Sequence, residues 1–332
     1  MTMRLVQLIH PAHGRRVGRV DQDSLSLLKS HSSVYGFAFA ALETRAPLIE
    51  LLANDPVESS LDYDPVHLLR TEWKFLPSFD QPNEPARCLV TGTGLTHLAS
   101  AAQRDAMHTA GAVTDSMRMY QLGVESGRPL PGQIGAAPEW FYKGCGTALR
   151  GHGEPLTIPS FAGDGGEESE VATVYIVDSS GTPRRLGMTP ANEFSDHRIE
   201  KQNYLYLAHS KLRPCSIGPE LALNPDFSRI QGVASIERSG VSIWSKEIAT
   251  GSERMCHSLA NIEHHHFKYP DHRRPGDVHI HFLGASAFSF GDGIQLQDGD
   301  EMVIEWKTLG RPLRNRVEID KQPDSLVSAQ PI

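Results

Sequence analysis

The sequence predicts a β-rich α+β fold with a small α/β unit at its N-terminus. Three observations carry that expectation. From about residue 150 to 300, short β-type runs alternate with Gly- and Pro-containing turns, and helical patterns are few. Residues 1–85 mix strand and helix signals in a short space. Between the two, "LPSFDQPNEPARC" is rich in Pro, Asn and Asp, which marks a linker near residues 77–86. The expected units are therefore an N-terminal domain over 1–85, a larger domain over 86–320 and a tail over 321–332.

The elements follow in order. "MRLVQLIH" reads as a strand and "GRRVGRV" as its hairpin partner. "SVYGFAFAALETRAPLIELLAN" reads as helix, with Leu48, Leu51 and Leu52 among its apolar positions. In "CLVTGTGLTHLASAAQRDAM" an apolar run meets a glycine turn, and a helix begins near Thr96, which can cap it. The "GTG" lacks the spacing of a phosphate loop. "SEVATVYIVDSSGTPRRLGMT" reads as a hairpin turning at "DSSG", and "VASIERSGVSIWSKEIAT" as a second turning at "RSG". "GDVHIHFLGA" and "DEMVIEWKTLG" are further strands. "SERMCHSLANIEHHHFK" reads as a helix capped by Ser252. The tail "DKQPDSLVSAQPI" is loose or docks on a neighbour.

The chain has 332 residues, enough to bury a sizeable core, with 39% hydrophobic and 22% charged residues, as in ordinary globular proteins. A formal net charge of -8 argues against a general nucleic-acid binder, which needs a basic face. The four cysteines are scattered without a C-x-x-C pair, so neither a disulfide framework nor a structural zinc site is expected. "LVQLI" is too short for a signal peptide's apolar region, and no segment approaches the roughly 20 apolar residues of a membrane span. The expectation is a cytoplasmic protein that binds neither nucleic acid nor membrane.

The sharpest chemical feature is "GGEESEVATVYIV". Along a strand Glu168 and Glu170 point the same way. On these residues alone the plainer reading is a solvated acidic run. Glu193, in "TPANEFSDH", changes the balance, because the hairpin can return it beside the pair. Three carboxylates with waters filling the remaining positions suit Mg²⁺ or Mn²⁺.

Histidines draw attention next. Six of the sixteen lie between Ile262 and Phe282. On a helix His264, His265 and His266 fan out by about 100° each and cannot share one ion. His279 and His281, in "VHIHF", do share a face.

These residues resemble a known family, the fumarylacetoacetate hydrolase superfamily. Glu168-Ser169-Glu170 matches its E-x-E strand. "NEFSD" matches its N-D-x-S segment, with Glu193 where Asp is usual. "PEWFYKGCGTALRGHGEPLTIP" is similar to its Phe-x-Lys-Pro segment, placing Lys143 at the lysine position and Gly144 at the proline. "SKLRPCSIGPEL" resembles the segment with an active-site lysine. There, counting back from "IGP" lands on His209, and Lys211 fits only with a two-residue shift. The closing "RRPGDVHIHFLGASAFSFGDGIQLQDGDEMVIEWKTLGRPLRNRV" is similar to P-G-D-V … L-x-x-G-D … L-G-x-L-R-N. The resemblance covers about residues 88–317 and implies a fumarylacetoacetate-hydrolase-like fold, a divalent metal on Glu168, Glu170 and Glu193, and a homo-oligomer.

Members that hydrolyse C–C bonds often carry H-x-x-E after Asn-Tyr. Here those positions read Ser100 and Gln103, after Thr96-His97. The pattern looks more like the sugar-acid branch, which includes 2-keto-3-deoxy-pentonate dehydratases. The implied partner is a small 2-keto sugar acid. Lys211 is then the expected base or enolate-side cation, and Lys143 the ligand of the substrate's carboxylate or keto oxygen. Glu125, flanked by Gly123 and Gly127 as possible hinges, and His97 are further acid–base candidates. His281 and Ser286 are candidates for substrate binding. Two other readings stay open: a C–C hydrolase of an acylpyruvate or diketo sugar acid, and a metal-binding but catalytically idle partner protein.

Overall fold

The computed structural model describes residues 2–99, 101–102 and 114–332. Its organising element is the strand Ser169–Val177, buried along its whole length. Burial on both faces explains its apolar, β-branched composition. Asp178 accepts hydrogen bonds from the Ser180 and Thr182 backbone N–H groups and so tightens the turn that follows. The chain then returns antiparallel as Pro183–Asn192, with Glu170 opposite Ala191 and Ser169 opposite Asn192.

This hairpin sits inside a large mixed sheet. On one side the order runs through Val278–Phe282, Cys88–Gly92 and Phe141–Cys145. On the other it runs through Leu221–Leu223 to the N-terminal strands Arg4–His10, Gly14–Asp21, Ser24–Leu28 and Val57–Asp62. Arg4 pairs with Ala222 and Leu5 with Leu221, so the N-terminal strands are hydrogen-bonded into the same sheet. They also carry a small apolar cluster of their own, built from Val6, Leu8, Leu25, Tyr63, Trp73 and Phe75.

A second, five-stranded sheet contains Val241–Thr250, Ile230–Arg238, Glu301–Trp306, Leu313–Ile319 and Leu156–Ile158. The alternation of side chains along Ser169–Val177 divides its contacts between two cores. Ala172, Val174 and Ile176 pack with Val90, Ile280, Phe282 and the helix residue Phe37. Val171, on the other face, packs with Ile304 and Trp306 of the second sheet.

Four local expectations differ from the structure. The helical stretch over 34–54 is two helices, Val34–Thr44 and Leu48–Asn54, because Arg45 turns left-handed at φ 57° and Pro47 follows. The histidine-bearing helix is shorter, Leu259–Phe267. Its cap is Ser258, whose hydroxyl accepts from the Asn261 N–H, rather than Ser252. Thr96 does not cap a helix; its hydroxyl donates to the Leu283 carbonyl at 2.8 Å. The segment around Glu125 is no hinged loop but part of the helix Asp115–Ser126. A Cβ at Gly123 would stand 2.6 Å from His257 Nε2, so glycine there permits close helix approach rather than hinge motion. Among the described residues, no helix is long and apolar enough to cross a membrane.

Candidate active site

The antiparallel register places Glu193 directly beside Glu168, whose carbonyl accepts from the Glu193 N–H at 3.0 Å. Glu168 and Glu170 share a face, so three carboxylates converge. One oxygen from each lies within 4.8 Å of the others, and all three side chains are buried. Burial pushes the Glu170 carboxyl well above its usual range, and the nearby charges of Glu193 and Glu168 add to this. The Gly284 N–H opposes the rise by donating to Glu170 Oε2 at 2.7 Å. Burial raises Glu193 too, followed by the charge of Glu168, against the pull of Lys143 and Lys211.

Two lysines enter this cluster from different elements. Lys143 comes from the Phe141–Cys145 strand, where alternation points it inward with Phe141. Its ammonium donates to Glu193 Oε1 at 2.8 Å, to the Phe194 carbonyl at 2.7 Å and to the Lys211 carbonyl at 2.9 Å. An ammonium has three donors, and all three are used here. Lys211 ends the short helix Leu207–Lys211. It donates to Glu168 Oε1 at 2.5 Å, Glu193 Oε2 at 3.0 Å and Ser195 Oγ at 3.2 Å. It also lies 4.9 Å from the centre of the Phe141 ring. His209, where simple counting would put the lysine, is exposed.

The segment between Glu193 and Lys211 is fastened by Asp196. Its carboxylate caps the helix His197–Gln202 through the Ile199 N–H at 3.0 Å and accepts from Arg213 Nη2 at 2.8 Å. It also accepts from the Gly163 N–H at 2.9 Å. One buried carboxylate thereby ties the loop before the E-x-E strand to the turn after Lys211.

Several residues at the site had no assigned place in the sequence reading. His197 is sandwiched between Phe288 and Phe290, each 5.0 Å away, and its Nε2 lies 3.3 Å from Glu168 Oε1. Burial, the largest single effect, disfavours charging this ring, but Glu168 together with Asp164 and Glu200 outweighs it and the net shift is upward. Glu167 faces away from its neighbour Glu168 and is held by the Ser289 N–H and hydroxyl, both at 2.7 Å. Glu139 is buried two residues before Phe141 and accepts from the Tyr204 hydroxyl at 2.5 Å. Of these, only Glu139 carried a usable sequence signal. It shares the i, i+2, i+4 parity of Phe141 and Lys143.

The other four candidates have different surroundings. Glu125 is exposed on its helix. His97 is buried with Nδ1 at 2.9 Å from Thr96 Oγ1 and Nε2 at 3.0 Å from Thr250 Oγ1, and burial lowers its pKa to about 4. His281 sits between the hydroxyls of Thr91 and Thr93, at 2.8 and 2.7 Å, so both ring nitrogens are engaged within the sheet. Ser286 accepts from the Ala249 N–H at 3.3 Å. Ser100 and Gln103 lie outside the described residues.

The donor set fits a divalent ion. With all three carboxyls ionised, as metal binding requires, they leave one negative charge against the two ammonium groups in a buried space. Mg²⁺ and Mn²⁺ both favour such oxygen donors, and a dication on Glu168, Glu170 and Glu193 would turn the balance positive.

No family model and no curated protein matches the chain. Solved structures do. The chain is similar to a 2-keto-3-deoxyarabinonate dehydratase at 20% identity and TM-score 0.70, covering 96% of this chain and 100% of that one. A 2-keto-3-deoxy-D-arabinonate dehydratase complexed with magnesium and 2,5-dioxopentanoate matches over the same shares at 19% identity and TM-score 0.69. A 5-carboxymethyl-2-hydroxymuconate delta-isomerase from Mycobacterium smegmatis matches at 15% identity and TM-score 0.58, again over 96% and 100%. The two sheets, the E-x-E hairpin and these likenesses together show that the chain carries the fumarylacetoacetate-hydrolase-like fold, with a structural resemblance to 2-keto-3-deoxyarabinonate dehydratase.

Proposed function

We propose that this protein is a metal-dependent dehydratase of a 2-keto-3-deoxy sugar acid, with a pentonate as substrate. The observation that supports it best is the buried cluster of Glu168, Glu170, Glu193 and Lys211 in a fold whose solved relative holds magnesium and a 2,5-dioxopentanoate. Glu168, Glu170 and Glu193 would hold Mg²⁺ or Mn²⁺. When bound, that ion supplies positive charge where an enolate's negative charge develops.

The chain's own groups account for the rest. The reaction removes a proton next to the keto group and expels the hydroxyl one carbon further on. Loss of one water leaves a 5-hydroxy-2-oxo-3-ene acid; removal of a proton from C5 and reprotonation at C3 then give the C5 enol, which tautomerises to 2,5-dioxopentanoate. Lys211 is assigned as the base, acting as the free amine when a metal ion would take the carboxylate oxygens that its ammonium otherwise holds, with the Phe141 ring against one side of it. Lys143 is a positioning residue rather than a substrate ligand, because its three donors hold Glu193 and two backbone carbonyls. Protonation of the departing hydroxyl is assigned to Glu139, a buried carboxyl group hydrogen-bonded to Tyr204 in the segment between Glu193 and Lys211. Glu125 and His97 receive no proton in this scheme, and His281 and Ser286 no substrate contact.

The test is direct. Incubation with a 2-keto-3-deoxy-pentonate and Mg²⁺ should release 2,5-dioxopentanoate, detected by mass spectrometry as loss of one water. Turnover of an acylpyruvate with no turnover of any such acid would replace this reading with C–C hydrolysis.

A further inference from the structure

A cavity of about 560 Å³ lies between the loops at 159–166 and 289–296. None of the five clustered lysines and glutamates lines it, although Ser289 and Phe290 in its wall also hold Glu167 and His197 beside the carboxylates. Its volume falls in the range of small-molecule sites.

Its lining combines two kinds of group. Arg198 and Lys201 stand three residues apart on one short helix and therefore on neighbouring positions of its surface. Neither side chain has an acidic partner among the described residues. Two acidic groups also line the cavity: Asp164 accepts from the Arg198 backbone N–H at 3.1 Å and its pKa is raised to about 6, chiefly by burial, and Asp320 accepts from the Gln322 N–H at 2.9 Å. Phe290 supplies an aromatic wall, with one side stacked on His197. Ile158 and Leu296 form buried apolar wall.

Gly166, in the cavity wall, lies against His197. A Cβ at Gly166 would come within 2.4 Å of His197 Nδ1. That nitrogen is buried and has no hydrogen-bond partner among the described residues.

We propose that this cavity is a second binding site, for an organic anion with a flat ring. The ring would lie along Phe290 and the anionic group would meet Arg198 and Lys201. A nucleoside monophosphate and an aromatic carboxylate share that chemistry. The proposal is independent of the reaction assigned to the carboxylate centre.

Calorimetric titration of the full chain in Mg²⁺ with adenosine monophosphate, and separately with 4-hydroxybenzoate, identifies the source. One of the two should bind with one-to-one stoichiometry. The double substitution Arg198→Ala and Lys201→Ala, on exposed side chains, should weaken it at least about tenfold. Phe290→Ala should also weaken it, and Glu170→Gln should leave it unchanged. The proposal is overturned if neither anion binds, if binding ignores the double substitution, or if Glu170→Gln abolishes it.

Discussion

Lys211 Nζ donates to Glu168 at 2.5 Å and to Glu193 at 3.0 Å, so one ammonium spans two of the three carboxylates that a metal would use. An ion binding there competes with Lys211 for the same oxygens. Replacing Lys211 with Met should therefore keep or tighten Mg²⁺ binding, measured by calorimetry. Turnover of the sugar acid should fall by about 10²–10⁴-fold, the range for losing a general base. Loss of metal binding together with turnover would instead make Lys211 a structural cation.

Lys143 leads to a different outcome. Substituting Met removes the ammonium from Glu193 Oε1, leaving Lys211 as that carboxylate's one cationic partner among the described residues, and takes a donor from the Phe194 and Lys211 carbonyls. Breaking a buried pair in this way costs about 3–5 kcal/mol. The urea midpoint should drop accordingly, and saturating Mg²⁺ should recover part of the loss by restoring positive charge beside Glu193.

Metal removal gives the third expectation. The folded protein should gain thermal stability with Mg²⁺ concentration, by about 2.7 kcal/mol at a hundred times the dissociation constant. Glu170→Gln should abolish that gain, since it removes one of only three carboxylates. A chelator should have no effect on the variant's melting temperature.

The pH response of folding is set in part by buried neutral histidines. Burial lowers His97 and His257 to about 4, and His279 and His281 to about 3. The folded values lie below the ordinary one near 6.5. The contribution is thus fully present above that pH and is lost as pH falls toward the folded value. Each such histidine subtracts about 1.4 kcal/mol per pH unit across that window. Urea unfolding at pH 7, 6 and 5 should show a shallower decline for His281→Gln than for the parent. The parent comparison cancels raised carboxylates such as Glu167, which act in the opposite direction.

Much of this architecture was legible in the sequence. The "DSSG" turn and the alternation in "SEVATVYIV" were enough to bring Glu193 back beside Glu168 and Glu170. Lys211 was chosen by its chemistry against its counting, and the structure brings its ammonium onto Glu168 and Glu193 while His209 is exposed. The saturation of Lys143 was not legible, since two of its partners are backbone carbonyls distant in sequence. His197 was missed for a similar reason: its Phe288–Phe290 sandwich is a contact across ninety-odd residues. His281 looked like a substrate ligand because strand parity gives a direction but not what waits there, and what waits is Thr91 and Thr93.

The pairing of Arg4–His10 with Leu221–Leu223 has a consequence for solubility. Without the N-terminal strands, a row of unpaired backbone donors and acceptors would open along a strand that pairs directly with Pro183–Asn192, the strand that runs into Glu193. Such an open edge is a template for adding further chains. The first thirty residues thus act as a cover strip, shielding the neighbour of the Glu168–Glu193 hairpin from edge-to-edge aggregation.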